Sequence, residues 1–266
     1  MDLTPSGVVT LTTDFGMSDL YVGVMKGVIL NINPRAQIVD IAHTIPPQDI
    51  YGAAFLIDSA HRYFPSGTIH VVVVDPGVGG QRRAIICQTE MAYVVCPDNG
   101  VLSHVLDDDT LYRAIAVENT AHCLPEISNT FHGRDIFAPV AAHLSRGIPL
   151  DDFGQPVNDL VRLPIPTPHV TKRAITGHII WIDHFGNVIT NISDDVLESF
   201  GLEGSFIIKA GRAEIAGLSH SYVESREGEC LAIIGGFGRL EISINQGNAA
   251  RVLELKRGDV VEIHKT

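Results

Sequence analysis

Four cysteines in 266 residues, none of them spaced C-x-x-C, leave no dithiol or zinc-ribbon framework. Cys87 and Cys96 lie in apolar runs and read as reduced core residues. The twelve histidines contain no H-x-H or H-x-x-x-H pair, so no metal site is expected. Basic residues are also scarce, with 19 Lys and Arg against 31 Asp and Glu and a net charge of −12. That balance excludes a nucleic-acid surface, which needs a basic footprint. No apolar run approaches the roughly 18 residues of a membrane span, and no basic segment followed by an apolar one opens the chain. These absences point to a cytoplasmic protein without membrane contact. What the chain does have is a 45% hydrophobic content, enough for a sizeable core.

The informative stretch is VVVVDPGVGGQRR at 71–83. Four valines without polar alternation read as a strand covered on both faces. Asp75 stands at its end, Pro76 fixes one φ, and Gly77, Gly79 and Gly80 permit a tight loop. Ligands of α/β sheets gather beyond the carboxyl ends of strands, so this loop should bring Asp75 and one of Arg82 and Arg83 to a pocket rim. The glycines lack the Lys-Ser/Thr of a P-loop, which argues against phosphate binding.

Strands are expected at 7–12, 38–41, 68–74, 84–88, 92–96 and 111–117. Helices are expected from Leu20 to Ile32, from Asp49 to Ala60, near 100–105, and from Arg134 or Asp135 to Leu144. In the first of these Ser18 is the expected cap, Asp19 sits in the first turn, and Leu20, Val24, Val28 and Ile32 form a stripe widened by Met25 and Ile29. This β-α-β-α-β order predicts a largely parallel sheet. Five prolines within 149–170 mark a boundary. The expected architecture is an N-terminal α/β domain at 1–165 and a smaller C-terminal β-barrel domain at 171–266, built from six short strands and one helix at 194–200.

Within this frame Asp14, just after the first strand, is either a helix cap or an acceptor for both hydroxyls of a ribose. His132 precedes a helix in a glycine loop, where an imidazole is either structural or positioned to handle water and protons. Asp183 and Asn187 bracket a turn whose side chains can read a purine edge or an amino-acid head group. Tyr222 and Phe237 are candidate shelves for a flat ring.

Seven segments taken together resemble one family. They are LTTDFGMSDLYVGVMKG at 11–27, HTIPPQDI at 43–50, VVDPGVGGQRRAI at 73–85, PDNGVL at 97–102, TFHGRDIFAPVAAHL at 130–144, DHFGNVITNI at 183–192 and GRLEISINQGNAA at 238–250. The set is similar to the S-adenosyl-L-methionine (SAM) hydrolases, or SAM hydroxide adenosyltransferases, relatives of the SAM-dependent fluorinase and chlorinase. The resemblance implies hydrolysis of SAM to adenosine and L-methionine by water attacking C5′, with SAM as substrate and no cofactor. It implies a homotrimer whose active sites lie between subunits. It implies Asp75, Arg82 and His132 as the catalytic set, with Arg83 the weaker match. It further implies Asp14 on the ribose, Asp19 near the methionine amine, and Asp183 and Asn187 on the methionine and adenine parts. Tyr222, Asn245 and Gln246 fall by the adenine segments.

The departures point to the hydrolase branch. Halogenases of this kind carry tyrosine at the position of Asp75, a tyrosine-serine pair at His132-Gly133 and tryptophan at Gln48. Phe237 stands where a halogenase arginine helps to hold the methionine carboxylate. The competing readings are a SAM- or adenosine-binding module without turnover, a chloride-using adenosyltransferase, and a generic nucleoside hydrolase.

Overall fold

A computed structural model describes residues 3–108, 111–201 and 205–266. The chain divides into two compact units, Met1–Pro164 and Ile165–Thr266.

The first unit is a six-stranded sheet. Its strands are β1 (Val8–Thr13), β2 (Gln37–Ala42), β3 (Thr68–Val73), β4 (Ala84–Thr89), β5 (Ala92–Pro97) and β6 (Leu111–Ala116), in the order β2-β1-β3-β5-β4-β6. Pairing is parallel across β2, β1, β3 and β5, and antiparallel from β5 to β4 and from β4 to β6. The sheet is therefore mixed. A short turn joins β4 to β5, and a connection of that length can only make a hairpin. The valine run divides cleanly by parity. Val71 and Val73 enter the core beneath helices α1 (Tyr21–Ile32) and α4 (Ala138–Ser145), whereas Val72 and Val74 enter the core beneath α2 (Ile50–His61). A strand sandwiched between helix layers gains nothing from a polar face, which is why no alternation is written into it.

The helix starts differ from expectation. Ser18 caps nothing: α1 opens behind Leu20, which makes no side-chain cap bond, and Asp19 lies outside its first turn. Met25 and Ile29 are buried as expected and Val24, Val28 and Ile32 pack partly buried against the core, but Val22 joins the buried face and Leu20 is exposed. A strict four-residue repeat advances about 40° per step around a helix, so such a row crosses the buried face diagonally instead of running along it. Asp49 does cap α2, accepting from the Gly52 N–H at 2.9 Å. Residues 100–104 form turns, and the short helix α3 occupies Val105–Asp108. Before α4 the chain makes a π-helical turn over Gly133–Phe137, with Pro139 at the start of α4. Proline brings no N–H to the helical ladder and is tolerated in a helix's first turn.

The second unit is an eight-stranded antiparallel sheet. It comprises β7 (His169–Val170), β8 (Ala174–Ile182), β9 (Val188–Ser193), β10 (Phe206–Ala210), β11 (Ala213–Ala216), β12 (Cys230–Ile234), β13 (Arg239–Ile244) and β14 (Val260–Lys265). The order is β11-β10-β14-β8-β9-β13-β12, with β7 paired to β8, and a bridge from Ser219 to Ile233 brings the two ends together into a nearly closed barrel. Two strands exceed the expected six. His169–Val170 is too short to carry an alternation, and Ala213–Ala216 follows the Gly211 turn as the return arm of a hairpin. α5 (Asp194–Phe200) is capped by Ser193, and α6 (Ala249–Leu253), which has one turn and no periodic signal, is capped by Asn248.

A buried histidine gives this core a pH dependence. His70 on β3 is fully buried, bonds Thr10 Oγ1 through Nδ1 at 2.7 Å, and faces His61 and Phe64 edge-on. Burial, with a lesser push from His61, lowers its pKa from 6.5 to about 3. The unfolded chain thus binds a proton that the folded chain refuses, and stability falls as pH drops below about 6.5 towards 3. Urea unfolding at pH 7.5 and 5.0 should show the wild type losing more stability on acidification than His70→Gln. Equal losses in the two proteins would contradict this assignment.

Candidate functional site

The ends of β1 and β3, adjacent parallel strands, open into a cleft of about 430 Å³ lined by Asp14, Phe15, Tyr21, Pro47, Gln48, Val73, Asp75, Pro76, Val78 and residues 130–133. Asp14 receives the Gln48 N–H at 2.8 Å. Its loop is fixed from behind by His43, whose Nδ1 meets Thr13 Oγ1 at 2.9 Å and whose carbonyl accepts from Gly16 N–H at 2.7 Å. Asp14 therefore caps no helix and presents its carboxylate to the cleft.

Asp75, Arg82 and His132 come together, with the guanidinium in the middle. Arg82 Nε donates to both Asp75 oxygens at 3.0 and 2.9 Å, and Nη2 donates to Oδ2 at 2.5 Å. The same Nη2 donates to His132 Nδ1 at 2.6 Å. Only 12% of the Arg82 side chain and 4% of the Asp75 side chain are exposed, and Phe137 lies 5.5 Å below the guanidinium. A guanidinium has no acceptor, so Nδ1 must offer its lone pair and a neutral His132 carries its proton on Nε2. Burial first, then the charge of Arg82, lowers the His132 pKa from 6.5, against an opposite pull from Asp75 and Asp135. The site thus holds a neutral imidazole beside a compensated ion pair.

The two loops that carry this set are registered to one another. Gly79 has φ +75°, and a Cβ there would stand 2.2 Å from the Asn129 carbonyl oxygen. Asp135 is fully buried and receives the Ser128 N–H at 2.8 Å, the Ser128 hydroxyl at 2.7 Å and Arg134 Nε at 2.6 Å. Ser128 in turn accepts from Phe131 N–H and makes a backbone bond with His132. The neighbouring arginine does other work: Arg83 pairs with Asp98 at 2.5 Å and Asp159 at 2.6 Å, tying residues 159–161 to the sheet.

Asp19 is exposed and does not line this cleft. The aromatic wall of Phe15, Tyr21 and Phe131, mutually packed at 5.1–5.8 Å, was not read from sequence. Its only signal was proximity to the Asp14 and His132 motifs.

The second unit has its own cleft, of about 840 Å³, and it gathers Asp183, Asn187, Tyr222, Phe237, Asn245 and Gln246. Asp183 is occupied by its own turn: Oδ1 receives the N–H groups of Phe185 and Asn187, and Oδ2 receives Asn187 Nδ2 at 2.9 Å. Asn245 Nδ2 is donated to the Ser225 carbonyl at 2.8 Å. Tyr222 donates its hydroxyl to Glu241 at 2.7 Å, and burial together with that carboxylate raises its pKa. Phe185 and Phe237 leave most of their rings exposed. Sequence reasoning missed Phe185 and Glu241 as lining residues, although both lie inside segments that carry the family resemblance. Among the described residues no cluster of three or more His, Cys, Asp or Glu side chains could hold a metal ion. No helix among them is long and apolar enough to cross a membrane.

Two family models match this chain: the SAM hydroxide adenosyltransferase N-terminal domain over residues 9–154 and the corresponding C-terminal domain over 177–262. The chain is 35% identical to the (R)-S-adenosyl-L-methionine hydrolase of Salinispora tropica, with 98% of this chain and 99% of that protein covered. It is 36% identical to the hydrolase of the same name from Thermus thermophilus, with coverage of 94% and 97%. A fluorinase from Nocardia brasiliensis is 27% identical, with 96% of each chain covered. Among solved structures, an uncharacterized conserved protein from Thermotoga maritima matches with a TM-score of 0.91 and 38% identity, covering 97% of this chain and all of that one.

The geometry around His132 has a spectroscopic consequence. Replacing Arg82 with Gln removes a cation from Nδ1 and leaves the Asp75 carboxylate uncompensated, and both changes favour protonation. In an NMR titration the His132 ring should titrate below the ordinary histidine value in the wild type and at higher pH in Arg82→Gln. A titration that did not move would show that the Arg82 bond is not formed in solution.

Proposed function

This chain belongs to the SAM hydroxide adenosyltransferase family, and we propose that it is an enzyme hydrolysing S-adenosyl-L-methionine to adenosine and L-methionine. The observation that carries the reading is the Asp75–Arg82–His132 chain at the mouth of β3, in a protein similar over its whole length to named hydrolases. In the reaction a water oxygen attacks C5′ of the ribose in line with the sulfonium. The C5′–S bond breaks, its electron pair stays on sulfur, and methionine leaves as a neutral thioether without needing a proton. The difficult partner is water, whose pKa in bulk is about 15.7.

Asp14 is the acceptor for the ribose hydroxyls in this scheme, its carboxylate being held open to the cleft by the 43–48 segment. Arg82 supplies positive charge to the developing hydroxide, and its burial makes that charge more effective than in water. His132 gives Nδ1 to Arg82 and its Nε2–H to the Ser128 backbone, so it holds the guanidinium in place rather than deprotonating water. Asp75 is the anionic member of the set and accepts the proton that water loses. A halide has no comparable use for this arrangement, because it brings no proton to dispose of.

In the second unit the exposed rings of Phe185, Tyr222 and Phe237 suit a flat base, and Asn187, Asn245 and Gln246 supply amides at its edge. Asp183 acts there by shaping the turn that carries Asn187. Asp19, exposed and outside the cleft, serves at most the amino end of the methionine. Family membership supports a homotrimer with active sites shared between subunits. Four free cysteines suit a reducing, cytoplasmic setting.

Incubation with SAM in heavy-oxygen water, followed by mass analysis, should place the label in the 5′-hydroxyl of adenosine and not in methionine. Asp75→Asn and His132→Ala should each lower turnover by about 10²–10⁴, the range for groups that position or move protons. Free adenine instead of adenosine, or full turnover in both variants, would overturn the reading. Light scattering in solution should give three times the chain mass.

A further inference from the structure

Glu241 has one carboxylate oxygen engaged by the protein and one without a donor among the described residues. It lies on β13 with 6% of its surface exposed, yet it belongs to the lining of the second unit's cleft. Its Oε1 takes two hydroxyl donors, Tyr222 at 2.7 Å and Ser243 at 2.7 Å. Its Oε2 takes no hydrogen bond from any described residue. That oxygen lies over Gly235, where a Cβ would stand only 2.6 Å away, so a glycine keeps the space it occupies. The same oxygen stands in the cleft lining without a donor from the described residues, so it is available to accept an N–H from a molecule that enters the cleft. The other lining carboxylate, Asp183, has both oxygens engaged by its own turn.

We infer that Glu241 is a specificity-determining residue whose free oxygen accepts the exocyclic amino group of the substrate's purine. This inference rests on the SAM reading given above. Two features favour the base over the methionine ammonium. Glu241 is bonded to the hydroxyl of Tyr222, so it sits at the edge of an exposed aromatic ring, where the in-plane amino group of a stacked base arrives. The wall beside it is aromatic, with Phe185 and Phe237 mostly exposed, which suits a flat ring better than a charged aliphatic head. A 6-oxo purine would direct a carbonyl oxygen at the same carboxylate, and two acceptors facing each other repel. A site built to receive an N–H rejects a partner lacking it far more strongly than an apolar pocket rejects a small change in size.

The test compares SAM with S-inosyl-L-methionine, which has a 6-oxo group in place of the 6-amino group and a proton on N1, in the wild type and in Glu241→Gln. The wild type should favour SAM by at least about tenfold in kcat/KM, chiefly through KM. Glu241→Gln, whose amide can donate to a 6-oxo group, should narrow that preference about tenfold or more. Calorimetric binding of adenosine and inosine to the wild type supplies a readout that needs neither turnover nor a folded variant, and adenosine should bind more tightly. Equal binding of the two nucleosides, or an unchanged preference in Glu241→Gln, would overturn the inference. So would a Glu241→Gln variant that weakened binding of free methionine while leaving the base preference intact. If the wild type failed to cleave SAM yet still preferred adenosine to inosine, the hydrolase reading would fall and the role of Glu241 would stand.

Discussion

The guanidinium of Arg82, shared between the Asp75 carboxylate and the His132 imidazole, sets the state of every polar group around it. Because it has donors only, it fixes the tautomer of His132, and it adds its charge to burial in keeping that ring neutral. Because it is mostly buried, its charge needs the Asp75 carboxylate beside it, and a buried pair holds only when its geometry and remaining hydrogen bonds are good. Three bonds to the carboxylate and a ring stacked beneath the cation meet that condition. The outcome is a site with balanced charge, an oriented imidazole N–H and one anionic acceptor, which suits chemistry whose hard step is making hydroxide from water.

That contact spans two loops about fifty residues apart in sequence, so the loops have to be held in register independently of it. The close approach of Gly79 to the Asn129 carbonyl provides one constraint, and a Cβ at 79 would break it. The buried carboxylate of Asp135 provides another by gathering the Ser128 N–H and hydroxyl, and Ser128 then fixes Phe131 and His132. The π-helical turn at Gly133–Phe137 lets the chain pass from this loop into α4 with Asp135 pointing back into it. Such widened turns recur at functional sites because they re-aim side chains at little backbone cost. Arg83 serves a separate purpose one residue away, clamping residues 159–161 through Asp98 and Asp159. The two arginines stand just before β4 and reach different partners, Arg82 the Asp75–His132 set and Arg83 Asp98 and Asp159.

The second unit solves a different problem. Its cleft is lined by amides and aromatic rings, and several of its polar groups are already committed to shaping loops. Asp183 organises the turn at Phe185–Asn187, and Asn248 occupies the space that a side chain at Gly186 would need. Binding specificity then falls to the few groups that retain unused capacity, and the free oxygen of Glu241 is the clearest of them.

The α/β and β-barrel architecture, the valine strand and the motif set were legible in the amino-acid order, because each rests on local signals: uninterrupted valines, and glycine and proline punctuation. The family resemblance came from ordered motifs, and it named Asp75, Arg82 and His132 before any distance was known. The start of α1, the π turn, the mixed pairing of the sheet and the strands at 169–170 and 213–216 were not legible. Each depends on which neighbour a short segment meets, and that information is non-local. Residue spacing left two adjacent arginines as alternatives; the fold gave Arg82 to the site and Arg83 to a clamp, since their partners lie on segments that meet only in the folded chain. Sequence named Asp75, Arg82 and His132 as a set without an order, and the folded chain puts the guanidinium between the other two. Residue identities thus determined which chemistry was available, and tertiary packing decided the order of contacts, because hydrogen-bond direction and burial exist only once the loops have met.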